Sequence, residues 1–236
     1  MALSATPIQT KKGNTGNSTT ATSLVLTLGS APTAGNILVL GFVDASVTNR
    51  LYGITQTGVT WTYYPVLNTT TGNTVLAVGR VFASAGTTIT IARLDTSSFT
   101  SMAAVVAEFS GTNIRLDKQV GATGNSASPA TGATATLDTA NELLVAALSS
   151  RGQFSTATTV FSSPTNSFAI IDQDNTTVNT ANADRALCLL AQVVSSTSGV
   201  SAGATITSAQ WGAEQMTFQE TGGTGVKKSR LQLGQA

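Results

Sequence analysis

The chain has 236 residues, a formal net charge of +1, and a hydrophobic share of 41%, which places it outside the highly charged, weakly hydrophobic class that stays unfolded. A chain this long buries about 70% of its unfolded surface, so one large or two small domains are expected. Only 10% of the residues are charged, against about 25% in ordinary soluble proteins; the polar surface must come instead from 41 Thr and 24 Ser.

Histidine is absent, which removes Ser-His-Asp triads, Cys-His pairs and His-bound zinc. The single Cys188 forms no intrachain disulfide or multi-thiolate metal site. No apolar run reaches about 18 residues, so no membrane-spanning helix is expected. The first residues lack a basic segment followed by an apolar one, and no signal peptide is read there.

Taken in chain order, the signal is strand throughout. Residues 1–18 read as a polar N-terminal arm carrying Lys11 and Lys12. Residues 22–28, 60–64, 88–91 and 133–137 alternate apolar and polar with period two, as half-buried strands do. Residues 36–43 and 142–148 are continuously apolar, as strands covered on both faces are. Residues 101–109 carry helix-favouring Ala, Met and Glu, but their shortness and Thr-rich flanks favour strand. Gly72-Asn73, Ala85-Gly86, Gly199 and Gly203 mark turns. The spacing predicts an all-β, antiparallel β-sandwich or jelly-roll-like fold with about seven strands per half.

The halves resemble each other. Thr33-Ala34-Gly35-Asn36-Ile37-Leu38-Val39-Leu40 returns as Asp138-Thr139-Ala140-Asn141-Glu142-Leu143-Leu144-Val145, with the asparagines 105 positions apart. Asn68-Thr69-Thr70 returns as Asn175-Thr176-Thr177, Thr88-Ile89-Thr90 as Thr205-Ile206-Thr207, and Phe109 as Phe218, all in the same order. Two internal repeats are read: 19–111 and 131–222, with a linker at 112–130 and a basic tail at 223–236. Whether they make two sandwiches or one body is open at this point.

Candidate sites are sparse. Asp44, Glu108, Asp117, Glu142 and Glu214 show no spacing that pairs them for acid–base work, and Glu108 reads as a solvated or salt-bridged strand residue. The run Asp172-Gln173-Asp174-Asn175-Thr176 alternates oxygen ligands but has Thr177 and Ala183 where a calcium loop of the EF-hand type needs Gly and Glu, so a solvated hairpin turn is expected. No metal and no cofactor is expected. Asn17, Asn68 and Asn175 begin glycosylation-like triplets that a Thr-rich chain produces by chance; the last two read as turns held by side-chain hydrogen bonds. Cys188 reads as a buried hydrophobe. Most aromatics, among them Trp61, Tyr63, Phe82, Phe109, Phe161, Phe168, Trp211 and Phe218, read as core anchors, while Tyr52 and Tyr64 are the candidate surface aromatics. Lys227, Lys228, Arg230, Leu231 and Leu233 form a candidate docking tail, set against the alternative of a solvated end. Nothing resembles a basic, aromatic-interleaved nucleic-acid stripe.

At Ala34-Gly35-Asn36-Ile37-Leu38-Val39-Leu40-Gly41 and Ala103-Ala104-Val105-Val106-Ala107-Glu108-Phe109-Ser110-Gly111 the chain resembles β-sandwich structural proteins encoded by tailed bacteriophages and prophages. Those often carry a Gly-Asp/Asn-Leu-Leu-Val strand and a later Val-Val-Ala-Glu-Phe-Ser-Gly strand. The second half departs from the pattern, ending in Gln215-Met216-Thr217-Phe218-Gln219-Glu220-Thr221-Gly222. The resemblance implies a non-enzymatic virion role: a capsid decoration (cement) protein, head fibre or tail-associated domain. It would be made in the host cytoplasm without a signal peptide. Its expected partners are the major capsid or other virion proteins and sister copies in a dimer or trimer, with no membrane and no nucleic acid. The alternative is an adhesin or lectin-like module that binds a host glycan.

Overall fold

The computed structural model describes residues 3–16, 20–46, 48, 50–63, 67–69, 72–98, 101–111, 113–154, 159–180 and 182–220. In chain order the strands are β1 (Gln9–Asn14), β2 (Ser23–Thr27), β3 (Ile37–Asp44), β4 (Tyr52–Thr55), β5 (Val59–Tyr63), β6 (Leu67–Thr69) and β7 (Gly72–Val81). They continue with β8 (Thr88–Arg93), β9 (Met102–Phe109), β10 (Ile114–Ser126), β11 (Glu142–Gly152), β12 (Ala169–Asn175), β13 (Asp184–Val194) and β14 (Ala209–Glu220). All pairings are antiparallel, and no helix occurs among the described residues.

These strands make three sheets in layers. The central sheet runs β1-β9-β3-β7-β5, with β6 also paired to β7. One face of it carries Ile37, Val39, Val43, Val105 and Phe109, which pack against Leu143, Val145, Leu187, Leu189 and Phe218 of the second sheet, β10-β14-β11-β13-β12. The other face carries Leu38, Leu40, Phe42, Ala104 and Val106, which meet Leu24, Leu26, Ile89 and Ile91 of a small sheet, β2-β8-β4. Covered on both sides, β3 and β9 are buried at every residue, and this is why 36–43 reads as a continuous apolar run. The outer face of the second sheet is covered by irregular chain that contributes Leu137, Phe161, Phe168, Ala202 and Ile206.

The two five-strand paths have the same connectivity. Numbered within each set, both run first, fifth, second, fourth, third. The small sheet is formed by strands lying between successive members of the first set. In the second set the corresponding intervals are loops joined by two isolated bridges, Ala130–Gly203 and Ser162–Thr205. Register fixes the alignment: Ile37 lies opposite Phe109 and Leu143 opposite Phe218. Ile37 therefore corresponds to Leu143, one position away from the asparagine match in the sequence. On this alignment Gly35 (φ 91°) corresponds to Asn141 (φ 63°), both left-handed just before their strands. A one-residue difference matters, because it exchanges the two faces of a strand.

Several expectations need correction. The linker at 112–130 is largely β10, a long strand paired only with β14. Within the N-terminal arm, Gln9–Asn14 is the edge strand of the central sheet. Gly72-Asn73 opens β7 rather than forming a turn. Residues 133–137 form no strand: Thr131, Thr134 and Leu137 are buried with period three, and the segment is tied by Thr131 N–H to Ala202 O and Leu137 N–H to Thr197 O. The nine strands up to Phe109 and five after it replace the even division.

The central and second sheets pack closely at Gly41, where a Cβ would lie 3.0 Å from Ala147 Cβ and 3.3 Å and 3.4 Å from Leu187 and Leu189. A branched side chain there must push the sheets apart. Gly41→Val is expected to lower unfolding free energy by about 1–3 kcal/mol, read from urea denaturation; an unchanged midpoint would show that this interface yields easily.

Candidate functional site

Among the described residues eight charged side chains are buried: Asp44, Arg93, Glu108, Glu142, Asp174, Asp184, Arg185 and Glu214. In a chain with 23 charges in all this is a large share, and nearly every one of these groups has a visible task. Buried charge persists only where it is paired or saturated with hydrogen bonds.

Asp44, at the end of β3, holds Arg93 of β8 through two contacts, Nε to Oδ2 at 2.8 Å and Nη2 to Oδ1 at 2.5 Å. Tyr52 donates its hydroxyl to Asp44 Oδ2 at 2.8 Å and accepts from Asn73 Nδ2 at 2.9 Å. The cluster clamps the small sheet to the central one. Burial, and then the Asp44 charge, push the Tyr52 pKa up. For Arg93, burial opposes the charge, but hydrogen bonding and attraction to Asp44 outweigh it and raise its pKa. Tyr52 is thus no surface aromatic: it is 2% exposed, its ring edge-on to Phe42 at 4.9 Å.

Glu108, expected to be solvated or salt-bridged, is buried and held by neutral donors. Its carboxylate accepts from Gln9 Nε2 (2.6 Å), Thr33 N–H (2.8 Å) and Asn36 Nδ2 (2.6 Å), pinning the arm and the turn before β3. Asp184 does the same in the second half, accepting from the N–H groups of Phe154, Val178 and Asn179 and from Thr176 Oγ1. Glu214 reaches across the sheet interface to the backbone N–H groups of Leu76 and Leu67; burial raises its pKa well above the usual carboxyl range, and those two bonds only partly offset it. Its Oε2 has no partner.

One carboxyl pair escaped the sequence reading. Asp117 of β10 and Glu142 of β11 interact directly. Burial raises the Glu142 pKa, with hydrogen bonds from Thr217 and Thr139 working against it and Asp117 adding to it. Asp117 is lowered despite its own desolvation, because Lys118 and the Asp138 N–H bond to it. Lys118 also reaches Asp138 at 2.5 Å, so the group fastens the turn before β11 onto β10. Among the described residues no cluster of three or more His, Cys, Asp or Glu is placed to hold a metal.

Residues 172–174 are strand, not a hairpin turn. Asp172 pairs with Lys12 at 3.1 Å, and Asp174 accepts from Asn14 at 3.0 Å, so β12 of one sheet is stapled to β1 of the other. Asn175 is buried, its Nδ2 donating to Thr176 O, which leaves no room for a glycan. Cys188 is buried in β13, and burial raises its thiol pKa. Phe109, Phe161, Phe168, Trp211 and Phe218 are core residues as expected, but Phe82 is 55% exposed. Tyr64 and the tail residues Lys227, Lys228, Arg230, Leu231 and Leu233 lie outside the described residues.

The exterior is consequently almost free of unbalanced charge. Arg50 pairs with Asp95, Arg115 with Asp138 and Lys118 with Asp117 and Asp138. Among the described cations, only Lys11, Arg80 and Arg151 are neither buried nor in an ion pair. The outer face of the small sheet shows Ser23, Val25, Thr27, Thr55, Thr88, Thr90 and Ala92, with no charge among them. Leu51 and Leu94 are exposed beside it. Comparison with protein-family models, with curated proteins and with solved structures finds no match.

Two measurements probe the buried charges. Asp44→Leu alone is expected to cost about 3–5 kcal/mol, because Arg93 is left buried without its carboxylate, whereas Asp44→Leu with Arg93→Met should cost clearly less; denaturation of the three proteins decides it. Glu214 keeps its proton in the folded state at pH values where the unfolded chain has lost it. Its contribution to stability is therefore complete below about pH 4.5 and falls as pH rises toward its raised pKa, with a slope of up to about 1.4 kcal/mol per pH unit. Glu214→Gln should flatten that decline in a pH series of unfolding curves.

Proposed function

We propose that this chain is a non-enzymatic structural protein of a virion, of the capsid-decoration, cement or head-fibre kind found in tailed phages. It would attach side by side to a repeating lattice and to sister copies. The observation that carries the reading is the neutral exterior: few charges to begin with, eight of them withdrawn into the core, and a small outer sheet whose solvent face is Thr, Ser, Val and Ala. Charge normally keeps freely diffusing proteins apart. A surface without it is suited to close, permanent packing, where many weak contacts on one lattice add up by multivalency.

Two features support the mode of attachment. In the small sheet β2 and β4 each pair with β8 alone, so short strand edges are offered for β-addition by a partner. Val25, at the middle of β2, is 51% exposed on a face without charge. The shared strand order of the two five-strand paths supports reading the body as a duplicated unit, whose first copy kept a regular covering sheet.

Val25→Lys tests this. The side chain is exposed, so stability should change by no more than about 0.5 kcal/mol, while self-association in sedimentation velocity and co-sedimentation with purified shells should both fall. Wild-type protein that stays monomeric at high concentration and ignores shells would refute the proposal.

A further inference from the structure

An exposed strand edge offers unpaired backbone groups to any neighbour, and proteins blunt such edges by shortness, charge, proline or a bulge. Most edges of this fold are blunted in one of these ways. Strands β2, β4, β5 and β6 have only three to five residues. Strand β1 carries Lys11 and Lys12. Strand β12 has a bulge between Ile170 and Asp172, and Lys12 lies against it, bonded to Asp172 and to Gln173 O.

Strand β10 differs. It has 13 residues, and its charges, Arg115, Asp117 and Lys118, fall within the first five. Its bulge lies there too, between Leu116 and Gln119. Residues 119–126 that follow hold no charge and no proline. They run in unbroken register against 209–216 of β14 and pair with no other strand. In such a ladder alternate residues turn both N–H and C=O toward the free side. Among the described residues no further backbone hydrogen bond takes up these groups. We propose that residues 119–126 pair antiparallel with the same residues of a second copy, joining two five-stranded sheets into one of ten strands. The pairing rests only on the sister-copy part of the proposed function and needs no shell.

Self-pairing is favoured by where the charges lie. A two-fold axis normal to the sheet sets one residue against its own copy. With Ala122 at the axis, Gly121 faces Thr123 of the second copy, Val120 faces Gly124, Gln119 faces Asn125 and Lys118 faces Ser126. No like charges meet. An axis at Lys118 or Asp117 would set two like charges directly opposite, which destabilises a sheet, so charge directs the contact to the neutral stretch.

One face of that stretch also has a place for a partner side chain. Trp211 lies across Gly124, where a Cβ would fall 2.3 Å from its ring, and its Nε1 donates to Ser126 Oγ at 3.0 Å. The indole thus reaches over the edge strand. Val120 of the second copy, opposite Gly124 and on the same face, packs against it. On the other face Thr123 is exposed, and its two copies lie on either side of the axis.

Sedimentation velocity and amide hydrogen exchange on the whole protein test this. At about 100 μM, where a micromolar Kd is already saturated, a dimer is expected. Thr123→Lys and Thr123→Glu should each weaken it about tenfold or more, and an equimolar mixture of the two should restore it, which misfolded variants would not do. Alternate amides within 119–126 should exchange more slowly in the wild type than in Thr123→Lys. Val25→Lys acts on another sheet and should leave this dimer in place, reducing only larger species. A monomeric wild type, a dimer indifferent to both Thr123 substitutions, a mixture that stays monomeric, or equal exchange at 119–126 would each overturn the pairing. A dimer that ignores purified shells would overturn the virion reading and leave the pairing standing; shell binding by a protein that is otherwise monomeric would do the reverse.

Discussion

The central sheet is covered on both faces, and most of the molecule's chemistry follows from that. Strands β3 and β9 have no solvent-facing side, so each polar group at their ends must find its partner inside the protein. The acids meet this need by accepting backbone N–H groups from the turns that enter and leave the sheets: Glu108 from Thr33, Glu214 from Leu67 and Leu76, Asp184 from Phe154, Val178 and Asn179. A buried carboxylate surrounded by such donors is stable where a lone one is not. These residues fix the geometry of loops.

The same constraint shapes the exterior. A charge used to anchor a turn is absent from the surface, and the remaining ions mostly cancel in pairs such as Lys12–Asp172 and Arg50–Asp95. Cross-strand pairs on the outer face of the small sheet, Thr27–Thr88 and Thr55–Thr90, are favourable for a sheet but do nothing to repel a neighbour. Low charge in the sequence thus becomes still lower effective charge in the fold. On the proposed reading this is the property that suits the protein to a lattice.

The strand content and the layered architecture were legible because burial on both faces leaves a continuous apolar signature, seen at 36–43, and burial on one face leaves an alternating one, seen at 22–28. Strand β10 was hidden. It is an edge strand of Gly, Ala, Thr, Asn and Ser whose residues are at most half-buried beyond Ile114, and such a composition reads as linker. Tyr52 was misplaced because a tyrosine beside Gly53 looks like a loop residue; its burial depends on Asp44 and Asn73, which only the tertiary fold brings to it. The Asp117–Glu142 contact joins strands that are separated by β14 in the sheet, a relation that no local spacing encodes. The asparagine match at 36 and 141 sets β3 against β11 one residue away from the correspondence given by their cross-strand partners, since short apolar runs look alike when slid by one residue.

The two halves differ in how they close the same end. In the first, β4 and β8 carry Tyr52 and Arg93 over the end of β3, and Asp44 neutralises the cation there at 2.5 Å. In the second, the covering chain is held by the Ser162–Thr205 and Ala130–Gly203 bridges and by single backbone hydrogen bonds such as Thr131 N–H to Ala202 O and Ile206 N–H to Ala127 O, and it forms no paired strand among the described residues. A short paired strand carries its side chains at fixed intervals and so brings Tyr52 and Arg93 to Asp44, whereas loops held by scattered backbone hydrogen bonds seal the apolar centre with Phe161 and Phe168. The two covers thus protect equivalent apolar faces by different means, one by a hydrogen-bonded sheet with a buried ion pair at its end, the other by single apolar side chains carried on irregular chain.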